Sequence, residues 1–85
     1  MKKIMFICQG NICRSPMAMF YLRYRLKTLG LENEYQVTSA ALEISTKGYD
    51  MEKKAQDELI KNKIPFEKHS AHQLNPKEFL QQDYV

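Results

Sequence analysis

The hydrophobic pattern divides the first half of the chain into strand-like and helix-like segments. Residues 3–7 hold an unbroken apolar run, Ile4 to Ile7, which predicts a buried strand. Residues 15–29 show helical spacing, and Gly30 suits the left-handed position that often follows a helix. Its predicted apolar face consists of Phe20, Tyr21, Leu22, Tyr24, Leu26 and Leu29. Residues 35–41 predict a second strand, so the order strand–helix–strand indicates a right-handed parallel crossover.

The second half of the chain is more polar and predicts two further helices. Residues 42–49 are expected to form a loop, and residues 50–62 an amphipathic helix. The predicted inner face of that helix is Met51, Ala55, Leu59 and Ile60. The N-cap, N1 and N3 positions of a short last helix are filled by Asn75, Pro76 and Glu78. Residues 83–85 have the character of a strand beginning, and the fold class is therefore α/β.

Length and charge limit the classes of function. A chain of 85 residues allows a single domain, 1–85, with a thin core. The net charge of +3 suits an anionic substrate, but the lysines are scattered, so neither a nucleic-acid nor a membrane partner is expected. Two cysteines, with no signal-peptide pattern and no long apolar run, favour a reduced, cytoplasmic setting.

The stretch from Cys8 to Pro16 has the layout of an anion-binding turn. It joins a buried strand to the beginning of a helix, where backbone N–H groups have no intrahelical partners and the helix dipole is positive. Gly10 is expected to supply the positive φ angle of the turn, with Asn11 the next most tolerant residue. Ser15 suits the N-cap and Pro16 the first helical position.

The same stretch carries a nucleophile and a cation at its two ends. Cys8 lies where loop amides favour a thiolate, and Arg14 can bind two phosphoryl oxygens with its planar guanidinium. The Ser15 hydroxyl is placed to donate to the Cys8 sulfur. This combination supplies the positioning and charge stabilisation that phosphoryl transfer requires. Cys13 is close enough in sequence for a reversible disulfide with Cys8 to be conceivable.

A metal site or a purely structural role would suit the cysteine pair less well. A zinc site would need a second ligand pair, yet the two histidines lie far downstream. Two ordinary structural cysteines in a strand–helix turn remain an alternative. The glycine–lysine motif of a nucleotide-binding P-loop is absent.

The run Cys-Gln-Gly-Asn-Ile-Cys-Arg-Ser-Pro-Met-Ala from Cys8 to Ala18 resembles the signature of the low-molecular-weight protein tyrosine phosphatases. The resemblance implies a three-layer parallel sheet with helices on both faces. It also implies that Cys8 forms a phosphocysteine intermediate, that Arg14 clamps the phosphate and that Ser15 supports the thiolate. The phosphate-binding residues would be Gln9, Gly10, Asn11, Ile12 and Cys13.

The implied ligands are a phosphotyrosine-containing protein or a small aryl phosphate, with inorganic phosphate or sulfate also fitting the loop. No metal or other cofactor is implied. Ile12 resembles the tyrosine-specific members, whereas the related phosphoarginine phosphatases usually carry Thr at this position.

Two supporting residues are also implied by the resemblance. Ser39 matches a serine that hydrogen-bonds toward the phosphate loop, and His69 matches a histidine that braces the loop asparagine. The chain departs from the family pattern at Ser45, where an aromatic residue is expected, and the prolines after Gly48 are missing. Both departures weaken the case for strict tyrosine selectivity.

Family members run to nearly twice this length, so the chain is expected to be the N-terminal part of the fold. The Asp-Pro general acid of the family is not found, because Asp50, Asp57 and Asp83 all lack a following proline. Three functions therefore stay open: a phosphatase with weakened turnover, a phosphate- or phosphoprotein-binding module, and a half-domain completed by a partner chain. An unpaired edge of the first strand would favour a homodimer.

Overall fold

Two parallel strands form the centre of the molecule, which we describe from a computed structural model covering residues 1–43 and 45–85. The elements in chain order are β1 (Lys2–Cys8), α1 (Arg14–Thr28), β2 (Tyr35–Ala41), α2 (Lys53–Lys61) and α3 (Pro76–Leu80). The two strands pair in register from Lys2 opposite Tyr35 to Cys8 opposite Ala41. The predicted α/β class and parallel crossover are confirmed, and both strands end at the same edge, where the Cys8 loop begins.

The main core lies between the sheet and the first two helices. Its buried side chains are Met19, Phe20, Leu26, Val37, Met51, Ala55 and Leu59. Met5 and Ala40 alternate with Phe6 and Ala41 along their strands, so they lie on the opposite face of the sheet. Both are almost fully buried, which means that both faces are covered.

The apolar face of α1 is narrower than predicted. Phe20 and Leu26 are buried, but Tyr21 is 50% and Leu29 is 62% exposed. Tyr21 is rotated about 100° from Phe20 around the helix axis, and it lines an open cleft between α1 and α2. Gly30 has the predicted left-handed conformation, with φ of +73°.

Helix α2 is shorter than predicted because neighbouring contacts hold its first residues extended. The Glu52 N–H donates to the Ile12 carbonyl, and the Asp50 carboxylate accepts from the N–H groups of Met51 and His69. The prediction that Ile60 faces inward was wrong, since Ile60 is 62% exposed. It follows Leu59 directly, and one step around the helix carries it away from α1.

Helix α3 begins as predicted. Asn75 is the N-cap and accepts a hydrogen bond from the Glu78 N–H at 2.9 Å, with Pro76 in the first turn. The Asn75 side-chain Nδ2 in turn donates to Glu78 Oε2 at 2.9 Å, so the two side chains also contact each other directly.

The last residues pair with the outer edge of β1. Tyr84 forms a parallel bridge with Ile4, and its carbonyl accepts from the Met5 N–H at 2.9 Å. The predicted strand beginning at residues 83–85 is thus present as a single bridge, which covers part of an edge expected to be unpaired. The homodimer stays a prediction.

The helices of the described residues include none with the length and apolar character needed to cross a membrane.

Adjacent residues on α2 provide a test of this packing. Leu59→Ala removes a side chain that is 2% exposed and should lower the free energy of unfolding by about 2–5 kcal/mol. Ile60→Ala, at the next position, should change it by less than about 0.5 kcal/mol. Urea denaturation followed by circular dichroism measures both, and equal losses would contradict the assigned helix face.

Candidate active site

The loop between β1 and α1 differs from the sequence prediction in where the helix begins. Helix α1 starts at Arg14, with Cys13 as the N-cap residue, two positions earlier than the predicted start at Pro16. The Ser15 hydroxyl does not cap the helix because it contacts the Cys8 sulfur at 2.9 Å and donates to Asn11 Oδ1 at 2.7 Å. Ser15 is therefore part of the loop interior.

Six successive carbonyl groups of this loop accept hydrogen bonds, five of them from other segments of the chain and the sixth from the first turn of α1. Each carbonyl oxygen from Cys8 to Cys13 accepts a hydrogen bond at a distance between 2.5 and 3.1 Å. The donors, in order, are the N–H of Leu42, the N–H of Glu43, the Thr46 hydroxyl, Nε2 of His69, the N–H of Glu52 and the N–H of Met17. Because the carbonyls are engaged outward, the N–H groups between them are left for the concave side.

The backbone of the turn depends on Asn11 rather than on Gly10. Asn11 has a φ of +53°, whereas Gly10 is not among the residues with positive φ. The prediction for Gly10 was wrong, but a side chain there is still disfavoured, because a Cβ atom would lie 3.3 Å from Thr46 Oγ1. Asn11 tolerates this conformation better than most residues.

The Cys8 sulfur is the centre of these contacts. It accepts a hydrogen bond from the Asn11 N–H at 3.2 Å in addition to the Ser15 contact. Burial acts to raise the pKa of the Cys8 thiol, but hydrogen bonds from the Ser15 side chain and from loop N–H groups outweigh it. The pKa of Cys8 therefore lies below its ordinary value, which favours the thiolate.

A buried polar chain links Cys8 to the second half of the molecule. Asn11 is fully buried, and its carbonyl accepts from His69 Nε2 at 2.8 Å. A carbonyl only accepts, so His69 carries its proton on Nε2. His69 thus contacts the loop asparagine through the main chain.

The hydrogen bond expected of Ser39 is not made. Its hydroxyl is buried without a partner among the described residues, as is the Asn11 side-chain nitrogen. Ser39 lies on β2 opposite Phe6, two residues before the end of that strand, and Asn11 directs its side-chain oxygen toward Ser15 instead.

Arg14 is the exposed residue among the three predicted catalytic residues. Its side chain makes no hydrogen bond or ion pair with any residue that the structure describes, and it lines a largely apolar cleft of about 620 Å³ between α1 and α2. That cleft is not the Cys8 loop, but Arg14 borders both. The expected role of Arg14 as a phosphate clamp stays a prediction.

Gln9, Ile12 and Cys13 complete the loop. Gln9 is exposed and bonded to Glu43, whereas Ile12 and Cys13 are half-buried. Both cysteines are free thiols. Within residues 1–43 and 45–85, no group of His, Cys, Asp and Glu is arranged to hold a metal ion.

Sequence reasoning missed the residues that hold the loop from the far side. Leu42, Glu43 and Glu52 act through their backbone N–H groups, which leave no mark on the side-chain pattern. Thr46 acts through its hydroxyl, but nothing in its sequence context distinguishes it from a surface threonine.

Solved structures share the fold of this chain. The TM-score is 0.95 with YfkJ from Bacillus subtilis, at 32% sequence identity, covering 99% of this chain and 53% of that one. It is 0.87 with SP-PTP, a low molecular weight protein tyrosine phosphatase from Streptococcus pyogenes, at 29% identity, covering 99% of this chain and 54% of that one. The chain thus has the parallel α/β fold of these two structures, over about half of their length.

Sequence comparison identifies the family. Residues 3–85 match the family model of the low molecular weight phosphotyrosine protein phosphatases, and the chain belongs to that family. Low molecular weight phosphotyrosine protein phosphatase 2 of Drosophila melanogaster is 33% identical over 82 residues, which are 96% of this chain and 49% of that protein. The chain spans about half the length of the curated relatives it matches.

The contacts of Cys8 predict a shifted alkylation profile. The rate of reaction with iodoacetamide should rise with pH around a midpoint below that of an ordinary thiol. Ser15→Ala removes a hydrogen bond that lowers the pKa of Cys8, so the midpoint should move to higher pH. Ser70→Ala, at an exposed serine, should leave it unchanged. Mass spectrometry separates Cys8 from Cys13, and a midpoint that Ser15→Ala does not move would contradict the assigned role of Ser15.

Proposed function

We propose that the chain carries the nucleophile and phosphate-binding loop of a protein-tyrosine-phosphatase-type phosphomonoester hydrolase. The Cys8 thiolate attacks phosphorus, the S–P bond forms and the bond to the leaving oxygen breaks. Water then attacks the phosphocysteine, releasing inorganic phosphate and restoring the thiolate. Each step exchanges one phosphorus bond for another, so no redox partner or cofactor enters the reaction.

One observation carries this proposal: the six outward-held carbonyls around a sulfur whose pKa is lowered. A phosphoryl group bound over Cys8 would present its oxygens to the N–H groups of the loop, of which that of Asn11 donates to the Cys8 sulfur in this structure. Because those groups are fixed before the ligand binds, little reorganisation is needed when negative charge develops. An ordinary structural cysteine would not need this arrangement.

Arg14 and Ser15 have separate tasks in the proposed reaction. Arg14 is unengaged by the described residues and exposed, so its guanidinium can bind two phosphoryl oxygens at once. Ser15 has a single hydroxyl hydrogen, which serves either Asn11 Oδ1 or the Cys8 sulfur. Turning that hydrogen to sulfur stabilises the thiolate both as nucleophile and as leaving group.

The proposed substrates are phosphotyrosine-containing proteins or small aryl phosphates. The names of the relatives in Drosophila and in human refer to phosphotyrosine phosphatases. The sequence resemblance of Ile12 to the tyrosine-specific members supports the same substrates. Inorganic phosphate, as the product, should occupy the same loop.

A second candidate function, phosphate or phosphoprotein binding without turnover, is favoured by the state of the aspartates. Hydrogen bonds from the His69 and Met51 N–H groups hold the pKa of Asp50 below its ordinary value, which makes it a poor proton donor. Asp83 accepts from the Lys3 N–H at 2.7 Å, at the opposite end of β1 from Cys8. Asp57 lies on the exposed side of α2. The described aspartates therefore supply no evident general acid.

Protection of Cys8 by anions tests the phosphate loop apart from turnover. Inorganic phosphate and vanadate should slow the alkylation of Cys8 by iodoacetate in the wild-type chain. Arg14→Lys keeps the charge but loses the two-pronged contact, so the half-protecting phosphate concentration should rise, on the order of tenfold. Arg25→Lys on the same helix is the matched control. Alkylation that phosphate does not slow would refute the proposed function.

Leaving groups separate the two candidates. Without a general acid, p-nitrophenyl phosphate should be hydrolysed faster than phenyl phosphate by the full difference in their leaving-group ability, because p-nitrophenolate leaves readily without a proton and phenolate does not. General acid catalysis typically contributes ~10²–10⁴-fold. Phosphate protection with no hydrolysis of either ester would establish binding alone. Similar rates for the two esters would mean that a residue of this chain supplies the proton.

A further inference from the structure

The segment after β2 places a carboxylate beside the residue that follows Cys8. The Glu43 N–H donates to the Gln9 carbonyl at 3.0 Å, and Glu43 Oε1 accepts from Gln9 Nε2 at 2.5 Å. The second carboxylate oxygen accepts from the Ser45 hydroxyl at 3.3 Å. Main-chain and side-chain contacts together therefore place the Glu43 carboxylate beside Gln9, the residue that follows Cys8 in the loop.

The hydrogen bonds hold this carboxylate in place, but they do not neutralise its negative charge. Both of its side-chain donors, Gln9 and Ser45, are uncharged. Across the part of the chain that the structure describes, the single ion pair joins His72 and Glu78 and does not involve Glu43. Glu43 is exposed, so its field extends into the solvent through which a ligand approaches.

The groups of the loop that would bind the phosphoryl oxygens give no discrimination among phosphomonoesters. Its N–H groups and Arg14 meet phosphoryl oxygens, which are the same in every phosphomonoester. Selection among phosphorylated ligands has to come from the groups beside the Cys8 loop. A fixed negative charge there acts on the residues that flank the phosphorylated one.

We propose that Glu43 is a specificity-determining residue that favours phosphorylated segments with Lys or Arg next to the phosphorylated residue and disfavours those with acidic neighbours. Adjacent residues of an extended peptide lie only about 3.3 Å apart along the chain, so a basic side chain lies beside the loop while the phosphate occupies it. This inference rests on the proposed function.

A purely structural role for the Gln9–Glu43 contact and a role in recognising charge predict different effects of replacing Glu43 on ligand affinity. If Glu43 only held the loop, its replacement would weaken all phosphorylated ligands by one common factor. If Glu43 instead recognises charge, its replacement would change the order of affinities among ligands that differ only in the charge of their flanking residues. Glu43→Gln separates the two, because it preserves shape and an acceptor oxygen while removing the charge.

The test uses three phosphotyrosine peptides of equal length, flanked by Lys, by Gln or by Glu, as protectors of Cys8 against iodoacetate. At low ionic strength the Lys peptide should protect wild-type chain at a roughly fivefold lower concentration than the Glu peptide. The ratio should fall toward one in Glu43→Gln, and also in wild type at high salt. Glu32→Gln, an exposed glutamate before the opposite end of β2, should retain it.

The outcomes are distinguishable. If inorganic phosphate protects Cys8 but Glu43→Gln keeps the wild-type order of peptides, this inference is overturned and the proposed function stands. If Glu32→Gln lost the difference between the Lys and Glu peptides to the same extent, the effect would be due to overall charge, and the inference about Glu43 would again be overturned. Failure of inorganic phosphate to protect wild-type Cys8 would remove the proposed function and this inference together.

Discussion

Outward hydrogen bonding of the carbonyls from Cys8 to Cys13 is the constraint on which the site depends. A turn of six residues has as many donors as acceptors, and by itself it would present a mixture of both to a ligand. Here five of the acceptors are taken up by the segment after β2, the residue before α2 and His69, and the sixth by α1 itself. The N–H groups of the loop, of which that of Asn11 donates to the Cys8 sulfur, are then the backbone groups that a ligand can contact. The second half of the chain thus works mainly as the outer support of a loop formed by the first.

The structural features that could be predicted are those that depend on short sequence patterns. The boundaries of β2 agree with the sequence prediction, and so do the cap of α3 and the left-handed Gly30, because alternation, capping residues and glycine preference act over a few positions. The start of α1 differed because Ser15 makes tertiary contacts that override its preference for a cap. The prediction for Ile60 failed because an apolar residue on a helix need not be buried when its flank has no neighbour.

The site was predictable in its chemistry and less so in its geometry. The spacing of Cys8, Arg14 and Ser15 indicates a nucleophile with an anion clamp, and the structure places Ser15 against the Cys8 sulfur as expected. The exchange of roles between Gly10 and Asn11, and the missing Ser39 contact, depend on packing that a single sequence does not encode locally. The support from Thr46, Glu43 and Glu52 depends on residues more than 30 positions away.

The use of backbone groups in that support has an evolutionary consequence. Leu42, Glu43 and Glu52 hold the loop through N–H groups that nearly every amino acid possesses, so mutations there can alter side chains without disturbing the loop. The departure at Ser45 and the missing prolines fit this freedom, since the fold still matches a solved relative with a TM-score of 0.95 at 32% identity. Side chains around the loop can therefore change while the backbone contacts that support the loop persist, so the surroundings of the loop are free to diverge between proteins that share this fold.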